Sequence, residues 1–291
     1  MKNALLTILV IFWRVIILLP LRVQNLISIL LGYFILYMPI RRNKISKINI
    51  DLCFKDLDEN ERYLIYKKNI ISSAKVIFDT GVAWFWSNRR INKNIPYKIN
   101  GLSKLLENQN SRNGVILFFK HSLHLELDSR ILAMHADIYG IEREHNSDKF
   151  QKIQKSGRLK SLKEVTDRNN TLTFIKWLKK GRTVLYAPDQ DYGMKKSIEV
   201  NFFGNPAATI SAPLKIIKIT NCKTFFVNSF IEKGELILEI MEVNLDHSSI
   251  RKFSEELNKI FEDKIKNHPY EYLWQHRRFK STLGKLSLIH I

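Results

Sequence analysis

The sequence has little cysteine and none of the short motifs that mark common metal or nucleotide sites. Only Cys53 and Cys222 occur, and no CxxC pair is present, which excludes a zinc knuckle and a disulfide framework. We expect both to be buried, reduced thiols in a protein that faces the cytosol. A P-loop glycine pattern, an RNP motif and a Cys/His finger are also missing, which argues against a nucleic-acid-binding protein.

Acidic residues are scarce relative to basic ones. The 291 residues include 47 lysines and arginines against 28 aspartates and glutamates, a net charge of +19. Such a charge attracts phosphorylated lipid surfaces, acidic proteins or nucleic acid, and its sign alone does not choose among them. Hydrophobic residues make up 45% of the chain, enough for one large domain, or for one domain plus an anchor.

The N-terminus carries two long apolar segments. Ala4–Pro20 is apolar except for Arg14, and Val23–Ile40 contains no charge. A spanning helix needs about 20 mostly apolar residues, and no clear small-residue cleavage site follows that would indicate a signal peptide. We therefore expect residues 1–47 to form a retained membrane anchor, with the second segment lying in the membrane interface. The alternatives are a spanning second segment and the fully buried hairpin of a soluble protein.

A basic cluster, Arg41–Lys47, follows these segments. Positive charge next to a membrane segment stays on the cytoplasmic side. We therefore expect residues 48–291 to form a cytoplasmic domain on a single-pass anchor. No repeat, low-complexity tract or long linker interrupts the chain after residue 48.

Short apolar runs alternate with amphipathic stretches in this second part. Gly114–Phe119 (GVILFF) and Thr183–Asp189 (TVLYAPD) are typical of strands buried on both faces, and Lys223–Phe230 with Glu235–Val243 predicts a strand pair. The alternation predicts an α/β fold with a mixed central sheet flanked by helices. Helices are predicted in Asp58–Trp86 and in the stretch after Phe119. Another predicted helix ends in Phe174–Arg182, and the clearest one is Ser249–Pro269.

The stretch FFKHSLHLELD, Phe118 to Asp128, places titratable residues where a strand ends and a helix begins. Ligand sites of open α/β sheets lie just beyond the carboxyl ends of strands. Across such a turn His121 and Glu126 can converge, so that the carboxylate bonds Nδ1–H and leaves Nε2 free as a base. This pair would deprotonate a hydroxyl group for attack on an activated carbonyl.

Two other residues of this stretch compete for these roles, and a third is a candidate nucleophile. His124 and Asp128 are spaced to share one helix face, and we expect His124 on the helix surface or in a lid. Ser122 is discounted as a nucleophile, because neighbouring side chains rarely face each other and no G-x-S-x-G elbow is present.

Several motifs occur in a fixed order along the chain. They are DLCF, GVAWFW, HSLHLELDSRI, SGRLKSL, LYAPDQDYG and YLWQHRRFK. Together, over residues 4–281, they resemble the lipid A biosynthesis acyltransferase family of Gram-negative bacteria. The resemblance implies an inner-membrane enzyme with a cytoplasmic, glycerol-phosphate-acyltransferase-like domain. It would move a fatty acyl chain from acyl carrier protein to a hydroxyl of a hydroxyacyl chain on a lipid A precursor, without a metal or a bound cofactor.

The resemblance also implies roles by position. His121 matches the catalytic base, Glu126 its partner carboxylate, and Arg158 an arginine important for activity, which suits a phosphate or a developing oxyanion. Asp189 follows a predicted strand, so we expect it on the same rim as His121, where it positions Arg158 or the substrate or simply forms a turn. Further candidates for substrate contacts are Asp191, Tyr192, Arg277 and Arg278, the two arginines toward phosphates.

The sequence departs from the family pattern at His124 and Asp128, where a threonine-like and a small residue are expected. Both add polarity beside the base. Because no credible nucleophile neighbours the base, direct acyl transfer without an acyl-enzyme is predicted. The nearest alternative is a glycerophospholipid acyltransferase, and an alternative of another class is a non-enzymatic, basic protein of membrane surfaces.

Overall fold

The computed structural model describes residues 2–284, so the ends of the predicted regions 1–47 and 48–291 lie outside the described residues. The helices are α1 (Lys2–Ile16), α2 (Leu21–Tyr37), α3 (Arg41–Cys53), α4 (Glu59–Ser73), α5 (Val76–Phe85), α6 (Asn88–Asn94), α7 (Leu102–Asn110), α8 (Leu125–Ala133), α9 (Asp148–Arg158), α10 (Thr171–Lys179), α11 (Ala212–Thr220) and α12 (Ile250–Asn267). The strands are β1 (Tyr97–Asn100), β2 (Val115–Phe119), β3 (Ile138–Glu142), β4 (Glu164–Asp167), β5 (Thr183–Tyr186), β6 (Ser197–Phe202), β7 (Asn205–Ile210), β8 (Lys223–Glu232) and β9 (Glu235–Glu242).

A seven-stranded sheet in the order β1-β9-β8-β2-β5-β3-β4 forms the centre of the described chain. Its neighbours pair in parallel except β8 and β9, the predicted strand pair, which is antiparallel. β6 and β7 form a separate antiparallel hairpin. The prediction of a mixed central sheet flanked by helices is confirmed.

The sheet separates two hydrophobic clusters, because successive side chains of a strand point to opposite faces. In β2, Ile116 and Phe118 pack in a cluster with α10, α11 and α12, whereas Leu117 and Phe119 pack in one with α5 and α8. Every residue of β2 is buried, as its unbroken apolar sequence predicts.

The amphipathic helices begin and end where local chemistry favours it. Asp58 caps α4 in a capping box: its carboxylate accepts from the Glu61 N–H at 2.8 Å, and the Glu61 carboxylate accepts from the Asp58 N–H at 3.0 Å. Ser249 caps α12, the helix predicted most clearly, which buries Phe253, Leu257, Phe261 and Ile265.

The two N-terminal helices expose a large apolar surface. Phe12 of α1 is 62% exposed and Phe34 of α2 is 61% exposed, so the alternative of a fully buried hairpin is wrong. Among the described helices, none is long and apolar enough to cross a membrane alone; α2 and α3 pass that test only as a pair bent by 84°. The opposite side of α2 packs on α4 so closely that a Cβ on Gly32 would lie 2.5 Å from the carbonyl oxygen of Ile71.

The predicted boundary at residues 47/48 falls inside α3. This helix packs into the sheet domain, where the Asn49 side-chain amide donates to the carbonyl oxygens of Trp274 at 2.7 Å and His276 at 2.6 Å. The division into two regions stays a prediction, but α3 connects them without a linker.

Candidate active site

His121 and Asp189 meet because they follow neighbouring parallel strands. Phe118 of β2 is in register with Tyr186 of β5, and each of the two polar residues lies three positions further along its own chain segment. Carboxyl ends of parallel strands share one edge of the sheet, which is where open α/β folds bind ligands. The prediction that Asp189 shares a rim with His121 is confirmed.

The carboxylate of Asp189 holds His121 at two points. Its Oδ1 lies 2.5 Å from Nδ1 of the imidazole, and its Oδ2 accepts the His121 backbone N–H at 2.8 Å. Burial of Asp189, which is 2% exposed, would raise the pKa of its carboxyl group, but the imidazole and these hydrogen bonds lower it below its usual value. An ionised Asp189 fixes the proton of His121 on Nδ1.

The other ring nitrogen of His121 is available for chemistry. Within residues 2–284, Nε2 has no hydrogen-bond partner, and the His121 side chain keeps 18% of its surface exposed. A neutral imidazole with Nδ1–H bonded to a carboxylate presents a lone pair at Nε2. This arrangement can accept a proton from a hydroxyl group that reaches the edge of the sheet.

Glu126 lies in a second cluster, built around Arg158. Its carboxylate receives two hydrogen bonds from the Arg158 guanidinium, the Nε one at 3.2 Å, and a third from Trp84 Nε1 at 2.7 Å. Glu142, at the carboxyl end of β3, accepts from Arg158 Nη1 at 2.6 Å. Burial would raise the pKa of Glu126, but Arg158 outweighs it and lowers that pKa; the two carboxylates in turn raise the pKa of Arg158.

The predicted hydrogen bond between His121 and Glu126 is therefore wrong, because Asp189 occupies the Nδ1 position. Glu126 is the second residue of α8, and its side chain is bound by Trp84 of α5 and Arg158 of α9. The prediction that Asp189 positions Arg158 is also wrong, since Glu126 and Glu142 hold that guanidinium. The catalytic roles of His121, Glu126 and Arg158 stay predictions.

His124 and Asp128 form a buried network under the His121 loop. Nδ1 of His124 lies 2.7 Å from Oδ1 of Asp128, Nε2 lies 3.3 Å from Oε2 of Glu271, and Ser122 Oγ donates to Asp128 at 2.7 Å. Burial would lower the pKa of His124, but Asp128 and Glu271 raise it to about 9. The expectation of a surface or lid position is wrong: His124 is 3% exposed, at the start of α8.

A returning segment near the C-terminus fixes the backbone on both sides of Ser122. The Leu273 N–H donates to the His121 carbonyl at 2.9 Å, and the Leu123 N–H donates to the Glu271 carbonyl at 2.8 Å. These contacts form a short antiparallel bridge between Ser122 and Tyr272. The imidazole is thus held by Asp189 at its ring and by residues 271–273 at its backbone.

The remaining candidates lie beside this site in supporting positions. The Asp191 carboxylate accepts from the Gly193 N–H and from Ser281, and the Tyr192 hydroxyl donates to the Ala187 carbonyl at 3.1 Å. The Arg278 guanidinium is buried and donates to the Ala208 carbonyl at 2.7 Å and to Thr209 Oγ1 at 3.1 Å. Arg278 is therefore placed to hold β7 rather than to meet a phosphate.

Arg277 and His276 directly precede Arg278 in the chain. Nε of Arg277 is buried without a hydrogen-bond partner. His276 Nε2 accepts the Asp191 backbone N–H at 3.0 Å. Burial, and next the nearby His121, lower the pKa of His276 to about 4, so this imidazole is neutral at physiological pH.

Sequence reasoning missed Glu142, Trp84, Glu271 and the buried Lys120. Glu142 closes β3 at the same edge of the sheet as His121, so the acid at the end of the strand IYGIE was the available signal. The tryptophan of GVAWFW and the glutamate of PYEY carried no comparable pattern, since their partners depend on tertiary contacts. Burial lowers the pKa of Lys120, directly before His121, to about 8, and its Nζ donates to Asn228 at 2.8 Å.

An imidazole that a carboxylate orients at the edge of an α/β sheet, with Nε2 free, can activate an acceptor hydroxyl. The profile of the family described as bacterial lipid A biosynthesis acyltransferase matches residues 1–281. The chain belongs to this family, as the sequence motifs predicted, and is an acyltransferase of lipid A biosynthesis.

Curated relatives agree with this assignment. A lipid A biosynthesis acyltransferase of Haemophilus influenzae is 34% identical over 92% of this chain and 88% of its own length. The lipid A biosynthesis lauroyltransferase of Escherichia coli is 34% identical over 86% of this chain and 83% of its own length. The palmitoleoyltransferase of the same organism is 31% identical over 85% of this chain and 82% of its own.

Among solved structures, the crystal structure of the 1-acyl-sn-glycerophosphate acyltransferase PlsC from Thermotoga maritima is similar over 84% of this chain and 97% of its own. The sequence identity is 16% and the TM-score is 0.37, which is too low to support an inference.

Proposed function

We propose that this protein transfers a fatty acyl chain from acyl carrier protein to a hydroxyl of a hydroxyacyl chain on a lipid A precursor, with His121 as general base. The observation that carries the proposal is the His121–Asp189 pair, which leaves Nε2 free at the edge of the sheet. Membership of the family supports acyl transfer in lipid A synthesis and is consistent with a lipid A precursor as acceptor. The acyl donor and the proton transfer are the proposed parts.

The proposed reaction needs one base and one set of oxyanion donors. His121 Nε2 takes the proton of the acceptor hydroxyl as its oxygen attacks the thioester carbonyl. Arg158 or backbone amides stabilise the tetrahedral oxyanion. When the C–S bond breaks, the thiol of the phosphopantetheine arm leaves with the proton held by His121. Asp189 keeps Nδ1–H in place through both steps, which is how a buried carboxylate supports a histidine base.

Glu126 has a supporting role in this proposal. Its ion pair with Arg158 joins α8, which begins just after His121, to α9. Glu142 also binds the guanidinium, so two carboxylates fix its orientation. The arginine is therefore held rigidly, so a developing negative charge meets a pre-positioned donor.

We further propose that α1 and α2 attach the protein to the cytoplasmic face of the bacterial inner membrane. Their exposed apolar side chains face away from the sheet domain, and the basic residues of Arg41–Lys47 follow directly. Burying apolar area in lipid and pairing lysines and arginines with anionic head groups both favour this position. Sedimentation with phosphatidylglycerol vesicles is expected to capture the full-length protein, and Phe12→Glu with Phe34→Glu is expected to release it. Binding that both substitutions leave unchanged would refute this attachment.

The function is tested with purified full-length protein in detergent micelles. We expect transfer from acyl carrier protein thioesters to a lipid A precursor, and slower or no transfer from the matching coenzyme A thioesters. Mass spectrometry of the product identifies the added acyl chain and its position. His121→Asn is expected to abolish transfer while leaving the thermal unfolding temperature nearly unchanged, because the asparagine amide can still donate to the buried Asp189.

Two outcomes would contradict the proposal. Faster acylation of a lysophospholipid than of the lipid A precursor would favour the glycerophospholipid alternative. Full activity of the folded His121→Asn protein would remove the imidazole from the mechanism.

A further inference from the structure

A cavity of about 580 Å³ lies outside the His121 site, between the end of α1, the end of α5 and the C-terminal half of α9. Its volume falls in the range of about 300–1,000 Å³ typical of small-molecule sites. Aliphatic side chains just after α1 and aromatic side chains of α5, among them Ile17 and Phe85, line part of it. Its basic lining residues are Arg14, Arg90, Lys152 and Lys160.

The positive charge of this cavity is not neutralised. No acidic residue lines it, and none of its four basic residues forms an ion pair within the described chain. Arg90 and Lys160 each donate to a backbone carbonyl at 3.0 Å, that of Leu18 and that of Phe85. Burial, followed by the charges of Arg130 and Arg14, lowers the pKa of Lys160. Cations gathered without acids are what an anion-binding site requires.

A further cation lies behind the cavity wall. Arg130 of α8 is 5% exposed, and its Nη2 donates to Asn88 at 2.6 Å and to the carbonyl of Trp86, a lining residue, at 3.3 Å. Its Nε and Nη1 are buried without hydrogen-bond partners. A buried guanidinium with unsatisfied donors is costly unless a negative charge is near. An anion in the cavity would supply that charge.

Two of the basic side chains are fixed by aromatic rings. The Arg14 guanidinium lies 4.7 Å from the centre of the Phe85 ring, and that of Arg90 lies 4.0 Å from the Trp86 ring. Such cation–π contacts hold long side chains in one orientation. The site therefore loses little side-chain freedom when an anion binds, which favours affinity.

The cavity adjoins both the candidate active site and the apolar surface of α1. Trp84, one of its walls, donates through Nε1 to Glu126 at 2.7 Å, and Gly157, another lining residue, directly precedes Arg158. On its other side the lining residue Leu18 is 58% exposed, next to the exposed apolar side chains of α1. An amphiphile lying along α1 would bring its charged end to the cavity.

We propose that this cavity binds a phosphate-bearing head group of the acceptor lipid. The inference rests on the proposed function and adds a site for the part of the acceptor that does not react. The mixture of cations with aliphatic and aromatic groups matches a phosphorylated sugar carrying acyl chains better than it matches the acidic surface of a carrier protein. Because neither His121 nor Asp189 lines the cavity, it acts on acceptor binding and leaves proton transfer unchanged.

The test uses a full-length double variant that carries both Arg90→Gln and Lys160→Gln. The control is the single variant Lys176→Gln. Lys176 is an exposed lysine of α10, which packs on the opposite face of the sheet. Acyl transfer is measured with a phosphorylated lipid A precursor and with the same lipid after phosphatase treatment. We expect the double substitution to raise the KM for the phosphorylated acceptor about tenfold or more, since each charged hydrogen bond contributes substantially to binding. The kcat, the KM for the donor and all constants of Lys176→Gln should stay within about twofold.

The dephosphorylated acceptor shows whether the two basic residues act on the phosphates. In the wild type, loss of the phosphates should raise the KM by a similar factor, and in the double variant it should raise it little further. Should the double variant fail to fold, Lys152→Gln replaces an exposed lining lysine and tests the same expectation with a smaller increase.

Three results would overturn the head-group assignment. One is an unchanged KM for the phosphorylated acceptor in the folded variants. Another is a raised KM for acyl carrier protein instead, which would assign the cations to the carrier. The third is competition by inorganic phosphate in the wild type alone, together with equal use of both lipids, which would make this a site for free phosphate. If the wild-type protein acylates no lipid A precursor at all, the proposed function itself fails, which is a distinct result.

Discussion

Replacing Asp189 by asparagine distinguishes the role of Asp189 from that of Glu126, the other carboxylate considered as a partner of His121. Both oxygens of Asp189 accept hydrogen bonds from His121, one from the backbone N–H at 2.8 Å and one from Nδ1 at 2.5 Å. An asparagine has one acceptor oxygen and one donor nitrogen. If the oxygen keeps the backbone contact, the amide N–H₂ faces Nδ1, and the ring proton must move to Nε2. The nitrogen that should accept the substrate proton is then already protonated.

The magnitude of this effect follows from the loss of the correct tautomer. Substitution of the carboxylate in a comparable His–Asp arrangement lowers kcat by about 10⁴. We therefore expect Asp189→Asn to lower kcat by about 10³–10⁴, or about 4–5 kcal/mol of transition-state stabilisation. The KM for either substrate should change little, because the Asp189 carboxylate is buried and bonded to His121.

Steady-state acyl transfer with acyl carrier protein thioester and lipid A precursor measures the effect. Asp191→Asn is the matched control, because its carboxylate lies in the same loop and binds Ser281 instead of His121. We expect Asp191→Asn to lower kcat by less than about tenfold. For Glu126→Gln we expect reduced stability and a smaller loss of kcat than for Asp189→Asn, since His121 keeps its tautomer. The reasoning is refuted if Asp189→Asn keeps more than about a tenth of wild-type kcat, or if Glu126→Gln is the more damaging of the two.

Three further predictions concern the structure around the site. His124→Gln should lower the free energy of unfolding by about 3 kcal/mol near pH 6.5, because the pKa of His124 is about 9 in the folded state against 6.5 unfolded; this difference should shrink as the pH rises through about 9 in urea titrations. Gly157→Ala should lower the free energy of unfolding by about 1–3 kcal/mol, since the new Cβ would lie 2.5 Å from the Trp84 side chain. It should also reduce kcat, because Gly157 belongs to the helix that ends with Arg158. Asn69→Leu should cost about 3 kcal/mol, because the carbonyls of residues 270 and 272 lose donors at 3.0 and 2.8 Å.

Each of these has an outcome that contradicts it. A pH-independent difference between wild type and His124→Gln would mean that the histidine is not held in its charged form. A Gly157→Ala protein with unchanged melting temperature and activity would show that α5 and α9 can move apart freely. Wild-type stability of Asn69→Leu would mean that water replaces the lost donors.

The strands and helices near the site could be predicted because their patterns are local. GVILFF lies in the middle of the sheet with every residue of β2 buried, and an unbroken apolar run is what that position requires. Asp58 and Ser249 could be recognised as the starts of helices because a cap depends on the next three residues only. The rim position of Asp189 followed from the same rule that placed His121.

The partner of the base could not be predicted in this way. Asp189 is 68 positions from His121 in the sequence, and the two meet only because β5 is the neighbour of β2, an order that no local pattern contains. The five-residue spacing of Glu126 suggested a contact across the turn. In the structure α8 has already begun at Leu125, so the Glu126 side chain is directed toward Trp84 and Arg158 instead.

The asparagine contacts of α3 and α4 have a practical consequence for work on this enzyme. Asn49 and Asn69 bind the backbone of residues 270–276, and that segment in turn binds the backbone of His121. A shortened protein, cut in α3 beyond Asn49, would therefore lose part of the support of the segment that binds the His121 backbone. Because α3, which follows the exposed apolar helices α1 and α2, supports this backbone, we expect detergent or a lipid nanodisc, and not truncation, to give an active preparation.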